Sequence, residues 1–154
     1  MHPFLLLAAL LLLLKTVAEC WLELLNRRTV VEAAGEVPGP FRDFIDEATY
    51  DKSVAYTLAK NRLAIAEILY DAVVLAVVLF SGILPFLWES GTALLGTGVW
   101  GQALVLFGVF TLLGLPGLPF EWYHQFRLEE RFGFNKSTPG LWVADKVKGF
   151  AVAA

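Results

Sequence analysis

The chain of 154 residues has few charges, one cysteine and two histidines. Charged residues make up 18% of it, below the roughly 25% that is usual for soluble domains. Hydrophobic residues make up 57%, the mean hydropathy is +0.62, and the charges occur in blocks along the chain. This composition excludes an ordinary soluble domain and indicates an integral membrane protein.

Three further absences narrow the class of protein. The single Cys20 excludes an intramolecular disulfide. A net charge of −3 gives no reason to expect nucleic acid as a partner. No Lys or Arg precedes the first apolar run and no Ala-x-Ala cleavage site follows it, so the pattern favours an uncleaved first helix over a signal peptide.

Three apolar segments are long enough to cross a bilayer, which takes about 20 helical residues. They cover residues 4–25, 63–87 and 92–115. Each is expected to be helical, because a lone strand leaves backbone groups without partners in lipid. The sequence therefore predicts an all-α integral membrane helical bundle with three transmembrane helices.

The basic residues predict the orientation of these spans. The segments 26–62 and 118–148 carry nearly all of the Lys and Arg, whereas the predicted hairpin at 88–91 carries none. Cytoplasmic loops are enriched in Lys and Arg. We therefore expect an outside N-terminus, cytoplasmic segments at 26–62 and 118–148, and an outside hairpin.

Both cytoplasmic segments show signs of helices. Residues 41–60 have apolar side chains at helical spacing, which favours an amphipathic helix over a solvated connector. The same pattern runs through 121–131. Just after it, Gly133 permits a left-handed helix end. Ser137, Thr138 and Pro139 then form the start of the next helix. The apolar residues after Lys148 then read as the start of a fourth span, and we expect the chain to be the N-terminal piece of a longer protein.

Ionisable residues recur at helical spacing within the first two spans. Lys15, Glu19 and Glu23 form one stripe, and Glu67 and Asp71 form a second. Two interpretations are open. Glu23 and Glu67 either lie near the interface and extend to water, or the two stripes line an internal hydrated chamber, as ionisable groups at membrane depth commonly do.

Two short motifs have the residue types and spacing of known functional sites but lack the structural context that those sites require. Gly96, Gly98 and Gly101 have the spacing of a dinucleotide-binding loop, but they lie in a membrane helix without the required strand. Close helix packing explains them better. Glu121 and His124 have the spacing of a di-iron ligand pair, but the further ligands are missing. The sequence thus predicts no catalytic residue, no metal ligand and no cofactor in this chain.

The segment from Leu118 to Lys148 resembles the signature region of the type I CAAX prenyl protease family. The resemblance rests on Leu118, Pro119, Phe120, Tyr123, Phe126, Glu129, Glu130, Gly133, Phe134, Asn135, Lys136, Thr138, Asp145 and Lys148. Weaker agreement occurs at Trp21, Leu22, Arg27 and Arg28, and again at Val37, Pro38, Tyr56, Ala59 and Lys60. The resemblance covers nearly the whole chain and is strongest at its end.

This resemblance implies the N-terminal membrane region of an integral-membrane zinc metalloendopeptidase. The family's His-Glu-x-x-His motif is absent here, so zinc is expected in a missing C-terminal metallopeptidase half. The implied role of this chain is a part of the chamber wall, with residues 128–140 as the corner at which the protease domain docks. Its implied partners are the bilayer, the missing half and, in the full-length protein alone, a peptide substrate.

Two alternative functions remain open at this stage. One is a standalone, non-enzymatic membrane scaffold or partner protein derived from such a region. The other is a small transporter that uses the same intramembrane charges, which three spans disfavour without oligomerisation.

Overall fold

The computed structural model describes residues 3–153, whose regular structure is helical throughout. Met1 and His2, which belong to the N-terminus predicted to lie outside, and Ala154 are outside the described residues. Three helices are long and apolar enough to cross a membrane, namely Pro3–Ala33, Glu47–Phe80 and Val99–Phe132. The prediction of an all-α membrane protein with three spanning helices is confirmed. The chain forms two compact units that meet at Ser81 and Gly82, and each is described by itself.

The first unit consists of two long helices, α1 (Pro3–Ala33) and α2 (Glu47–Phe80), joined by a loop with a 3₁₀ turn at Gly39–Phe41. Asp46 caps α2, since its Oδ1 accepts a hydrogen bond from the Thr49 backbone N–H at 2.7 Å. This bond, followed by the Thr49 hydroxyl, lowers the pKa of the Asp46 carboxyl. Tyr50 donates from its hydroxyl to the Ala33 carbonyl at 2.7 Å, which ties the start of α2 to the end of α1.

The second unit begins with α3 (Ile83–Leu95) and α4 (Val99–Gly114), which pack closely through small residues. A Cβ at Gly91 would lie 2.8 Å from a Val105 methyl, and Val105 is buried. Gly96 turns the chain with φ +87°, and a Cβ at Gly101 would collide with the carbonyl oxygens of Leu95 and Gly96. The glycines of the discarded nucleotide motif therefore form this tight turn.

The helical path then continues past α4 to Phe132. It includes a 3₁₀ turn at Leu115–Gly117, α5 (Leu118–Tyr123), a π-helical segment at His124–Glu129 and α6 (Glu130–Phe132). Gly133 ends this path in the left-handed conformation with φ +75°. The final helix, α7 (Pro139–Ala153), starts at the predicted proline, where Thr138 Oγ1 accepts from the Leu141 N–H at 3.3 Å.

The helix ends in the middle of the chain differ from the predicted span limits. The predicted span 63–87 is interrupted, because α2 ends at Phe80 and Gly82 adopts φ +79°. The predicted hairpin at 88–91 lies inside α3, and the predicted span 92–115 crosses the turn at 96–98. Hydropathy missed these ends since both turns lie within one apolar stretch, and glycine alone marks them.

Candidate functional site

The predicted polar stripes of α1 and α2 meet along one cleft. This polar cleft has a volume of 380 Å³ and is lined by Lys15, Glu19, Leu22, Glu23, Ala64, Glu67, Ile68 and Asp71. All five ionisable residues predicted to share a chamber-facing surface thus line the same cavity. Since α1 and α2 run in opposite directions, Lys15 and Asp71 belong to one end of the cleft and Glu23 to the other.

The cleft contains one ammonium group and four carboxylates. Lys15 Nζ lies 2.7 Å from Glu19 Oε2, one helical turn along α1. Within residues 3–153, no basic side chain lies within ion-pair distance of Glu23, Glu67 or Asp71. The cleft is therefore acidic as well as polar.

A buried asparagine holds Glu23, one of the residues that line the cleft. Asn61 is 3% exposed, and its Nδ2 donates to the Glu23 backbone carbonyl at 2.8 Å and to the Glu23 carboxylate. Sequence reasoning missed this residue, which lies within the predicted cytoplasmic segment 26–62. The available signal was its position one turn before Ala64, on the face of α2 that carries Asp71.

The second predicted site, residues 128–140, is a doubly capped corner. The Phe134 N–H donates to the Glu129 carbonyl at 2.9 Å, and the Gly133 N–H donates to the Glu130 carbonyl at 3.0 Å. This pair of bonds is the Schellman arrangement, which satisfies carbonyls left free at a helix end. The left-handed cap at Gly133 and the helix start at Thr138 were both predicted from the sequence.

A hydrogen-bonded network holds the corner to the π-helical segment. Asn135 Oδ1 accepts from Gln125 Nε2 at 2.7 Å and from the Ser137 N–H at 2.8 Å. Gln125 Nε2 also lies 3.3 Å from a Glu129 oxygen, and His124 Nδ1 lies 3.6 Å from the other. Sequence reasoning identified Asn135 and Glu129 but missed Gln125, which joins them.

The remaining signature residues do not enter this network. Glu130 and Lys136 are exposed, and Phe134 is 46% exposed. Asp145 and Lys148 lie on α7, where their charged atoms are 3.8 Å apart on the surface. The signature therefore marks one half-buried network and several surface positions.

An aromatic cluster joins α7 to the preceding helical path in the second unit. Trp142 packs edge-on to Trp122 with ring centroids 5.4 Å apart, and Trp122 lies 4.3 Å from Phe126. Lys146 pairs with Glu121 and lies 5.5 Å from the Trp142 ring. Glu121 and His124, the pair with metal-ligand spacing, therefore have different partners, Lys146 and Glu129.

Three helices long and apolar enough to cross a membrane, two of which line one acidic cleft, indicate an integral membrane protein of the multi-helix kind. The model of the CAAX prenyl protease N-terminal family, described as having five membrane helices, matches residues 27–154. The chain belongs to the CAAX prenyl protease family and corresponds to its N-terminal membrane region.

Individual relatives agree with this assignment. The human CAAX prenyl protease 1 homolog is 31% identical over 134 residues, which cover 82% of this chain and 28% of the relative. CAAX prenyl protease 1 of Saccharomyces cerevisiae is 31% identical over 128 residues, which cover 77% of this chain and 28% of the relative. The chain thus spans less than a third of the length of these relatives.

The fold also matches a solved structure. The crystal structure of S. mikatae Ste24p superposes with a TM-score of 0.87 and 26% sequence identity. The match covers 99% of this chain and 36% of the other. The helical arrangement described above is therefore that of the family.

Proposed function

We propose that this chain forms part of the wall of a water-filled intramembrane chamber in a zinc metalloendopeptidase. The polar cleft between α1 and α2 carries this proposal, because five ionisable side chains of two helices long and apolar enough to cross a membrane line one cavity. Ionisable groups in membrane helices normally face a bundle interior or a hydrated cavity. The chain supplies wall and scaffold in this proposal, and its own residues perform no catalytic step.

The proposed partners follow from the fraction of its relatives' length that the chain covers. It covers 28% of the human relative, which is a CAAX prenyl protease 1 homolog. We assign the zinc and the peptide-cleaving residues to a C-terminal half that completes the chamber. In such proteases two histidines and a carboxylate hold zinc, which activates water for peptide hydrolysis. A peptide substrate is bound only once both halves are present, and the bilayer surrounds the outer face.

The proposed orientation places the N-terminus outside and residues 26–62 and 118–148 in the cytoplasm. The distribution of Lys and Arg supports it, since these two segments hold nearly all of them. The capped corner at 128–140 then faces the cytoplasm, where it is available to a docked protease domain.

Substituted-cysteine labelling tests the wall and the orientation together. In a Cys20→Ser background, single cysteines are placed at Glu19 and Glu67 in the polar cleft and at the exposed apolar positions Leu13 and Val73. Thiolates form and react readily only in contact with water. A small charged thiol reagent is therefore expected to label the cleft positions at least about tenfold faster than the two lipid-facing controls.

Two outcomes contradict the proposal, each in a different part. Equal labelling at Glu67→Cys and Val73→Cys rules out a hydrated wall. Labelling of Lys136→Cys in intact cells, without permeabilisation, would show that this residue lies outside, which is the reverse of the proposed orientation. The gene sequence downstream tests the missing half: an in-frame His-Glu-x-x-His segment supports the protease, whereas an immediate stop codon favours a standalone membrane scaffold.

A further inference from the structure

The long helical path that includes α4, α5 and α6 changes its chemistry in a fixed order along its length. Residues 99–120 contain no charged side chain, which is enough to cross the hydrocarbon core of a bilayer. Trp122 and Tyr123 follow, and both are exposed. Arg127 and Arg131 come next and are exposed as well. Apolar, aromatic and basic residues in this order are typical of a helix that leaves a bilayer.

The end of this path has one buried and one exposed side. Leu128 and Phe132 are buried, whereas Tyr123, Arg127 and Arg131, which are spaced four residues apart, are exposed. These three residues form the exit face of the path. Its phenol ring and its two guanidinium groups are therefore open to the surroundings of the unit.

The charges of this part of the chain are paired beside the apolar residues and unpaired beyond them. Glu121, the first charged residue after the apolar stretch, pairs with Lys146 of α7. Within residues 3–153, no carboxylate lies within ion-pair distance of either arginine of the exit face. The exposed charged residues from 127 to 136 are these two arginines, Lys136 and a single acid, Glu130. The exposed surface is therefore basic.

An anion from outside the chain matches this surface in both position and charge. The headgroup region of a bilayer is about 5–8 Å thick on each side. Arg127 lies five residues beyond Trp122, which corresponds to about 8 Å along a helix. An exit face that begins at the aromatic level thus brings its guanidinium groups to the level of the lipid phosphates. A guanidinium binds phosphate through two parallel N–H bonds, so the two groups are complementary.

We propose that the exit face binds the headgroup of an anionic phospholipid. Tyr123 lies at the interface in this arrangement, while Arg127 and Arg131 donate to the phosphate. The proposed orientation places the face at the cytoplasmic leaflet, whose surface is negative because it contains anionic lipids. The lipid site goes beyond the proposed function, since it needs neither a hydrated chamber nor a peptidase half.

Quenching of tryptophan fluorescence by brominated lipids tests this site in nanodiscs. Replacement of Trp21, Trp88 and Trp100 by phenylalanine leaves two reporters, Trp122 beside Tyr123 and Trp142, whose ring centroid lies 5.4 Å from that of Trp122. Brominated phosphatidylglycerol and brominated phosphatidylcholine are each diluted to the same mole fraction in unlabelled phosphatidylcholine. We expect the anionic lipid to associate at least about fivefold more strongly. Equal quenching by the two lipids overturns the site and favours an acidic protein segment as the partner.

Two matched pairs of substitutions locate the preference. Arg127→Gln with Arg131→Gln removes two charges that have no carboxylate partner in the described chain, so folding is expected to persist while the preference falls to within about twofold of none. Arg28→Gln with Arg42→Gln is the control, because each of these arginines of the first unit pairs with a glutamate. The control is expected to keep the preference. Equal losses in both pairs overturn the assignment to the exit face, and circular dichroism verifies that each variant is helical.

Salt distinguishes binding by charge from binding by shape. A rise from 0.15 to 1 M NaCl shortens the Debye length from about 8 to 3 Å and is expected to weaken the preference for the anionic lipid. A preference that persists at 1 M NaCl in the double arginine variant overturns recognition through the guanidinium groups. Nanodiscs present the same lipids on both faces, so an error in the proposed orientation or chamber leaves this result unchanged.

Discussion

The two units of the chain hold their helices together in opposite ways. In the first, α1 and α2 meet through a buried asparagine, a glutamate and a cleft lined with charges. In the second, α3 and α4 meet through Gly91 and a buried valine, and α7 is held by tryptophan and phenylalanine rings. The helices of the first unit are joined by hydrogen bonds, whereas those of the second are joined by close packing of small and aromatic residues.

This difference is consistent with the way helices associate in lipid. In lipid, apolar helices gain little by associating through apolar side chains alone, so small residues and interhelical hydrogen bonds provide the attraction. Close packing leaves no space for water, whereas a polar contact keeps an open, charged cleft beside it. The first unit therefore has a charged cleft between its helices, whereas α3 and α4 of the second pack closely.

The largest expected effect is on the close packing of the second unit. Gly101→Ala introduces a Cβ that collides with the carbonyl oxygens of Leu95 and Gly96, which are backbone atoms and cannot rotate away. We expect a loss of about 1–3 kcal/mol in the free energy of unfolding. Unfolding in mixed detergent micelles, followed by tryptophan fluorescence, measures it.

Gly108→Ala is the matched control for this prediction. Gly108 lies on the same helix, and no atom lies within 4 Å of a Cβ built there. The control is expected to be neutral or slightly stabilising, because alanine favours a helix over glycine. If both substitutions have the same effect, the tight turn does not determine the packing of α3 on α4.

A smaller effect is expected for the polar contact of the first unit. Asn61→Leu removes both hydrogen bonds to Glu23. It is expected to lower the free energy of unfolding by about 1 kcal/mol, since each hydrogen bond between membrane helices contributes roughly 0.6 kcal/mol on average. Thr57→Val is its control, because the Thr57 hydroxyl bonds only to Ser53 of its own helix. Equal unfolding midpoints for the two variants would remove the contrast between the units.

The smallest effect concerns the cap at the start of α2. The pKa of the Asp46 carboxyl is lowered from 3.8 because the charged form accepts from the Thr49 N–H. A lowered pKa means that the cap stabilises the fold above the unfolded value and that this contribution is lost as the pH falls through the folded value. The Thr49 amide resonance is therefore expected to titrate with a midpoint below 3.8.

Asp46→Asn separates this cap from its charge. Asparagine caps helices about as well as aspartate and does not titrate. The Thr49 resonance of the variant is expected to stay constant over the same pH range. A resonance that moves in both proteins would assign the titration to a different acid.

Much of this architecture was predictable because local chemistry determines it. Long apolar runs require helices in lipid, and Gly133 and Thr138 act on neighbouring backbone groups. Gly82 was missed since it turns the chain within an apolar stretch, where hydropathy does not change. Asn61 was missed because its partner lies 38 residues away, and no local pattern indicates which helix face will meet which.

The π-helical segment at His124–Glu129 has a consequence for comparison among relatives. A π turn accommodates one more residue than an α turn, and one residue corresponds to about 100° of rotation. Deletion of one residue from this segment would restore an α turn and leave the later side chains on their present helix faces, because the wider π turn already absorbs that rotation. Alignment of family members across this segment should therefore permit a single-residue gap, which marks the loss of the π turn while the helical register and the corner are kept.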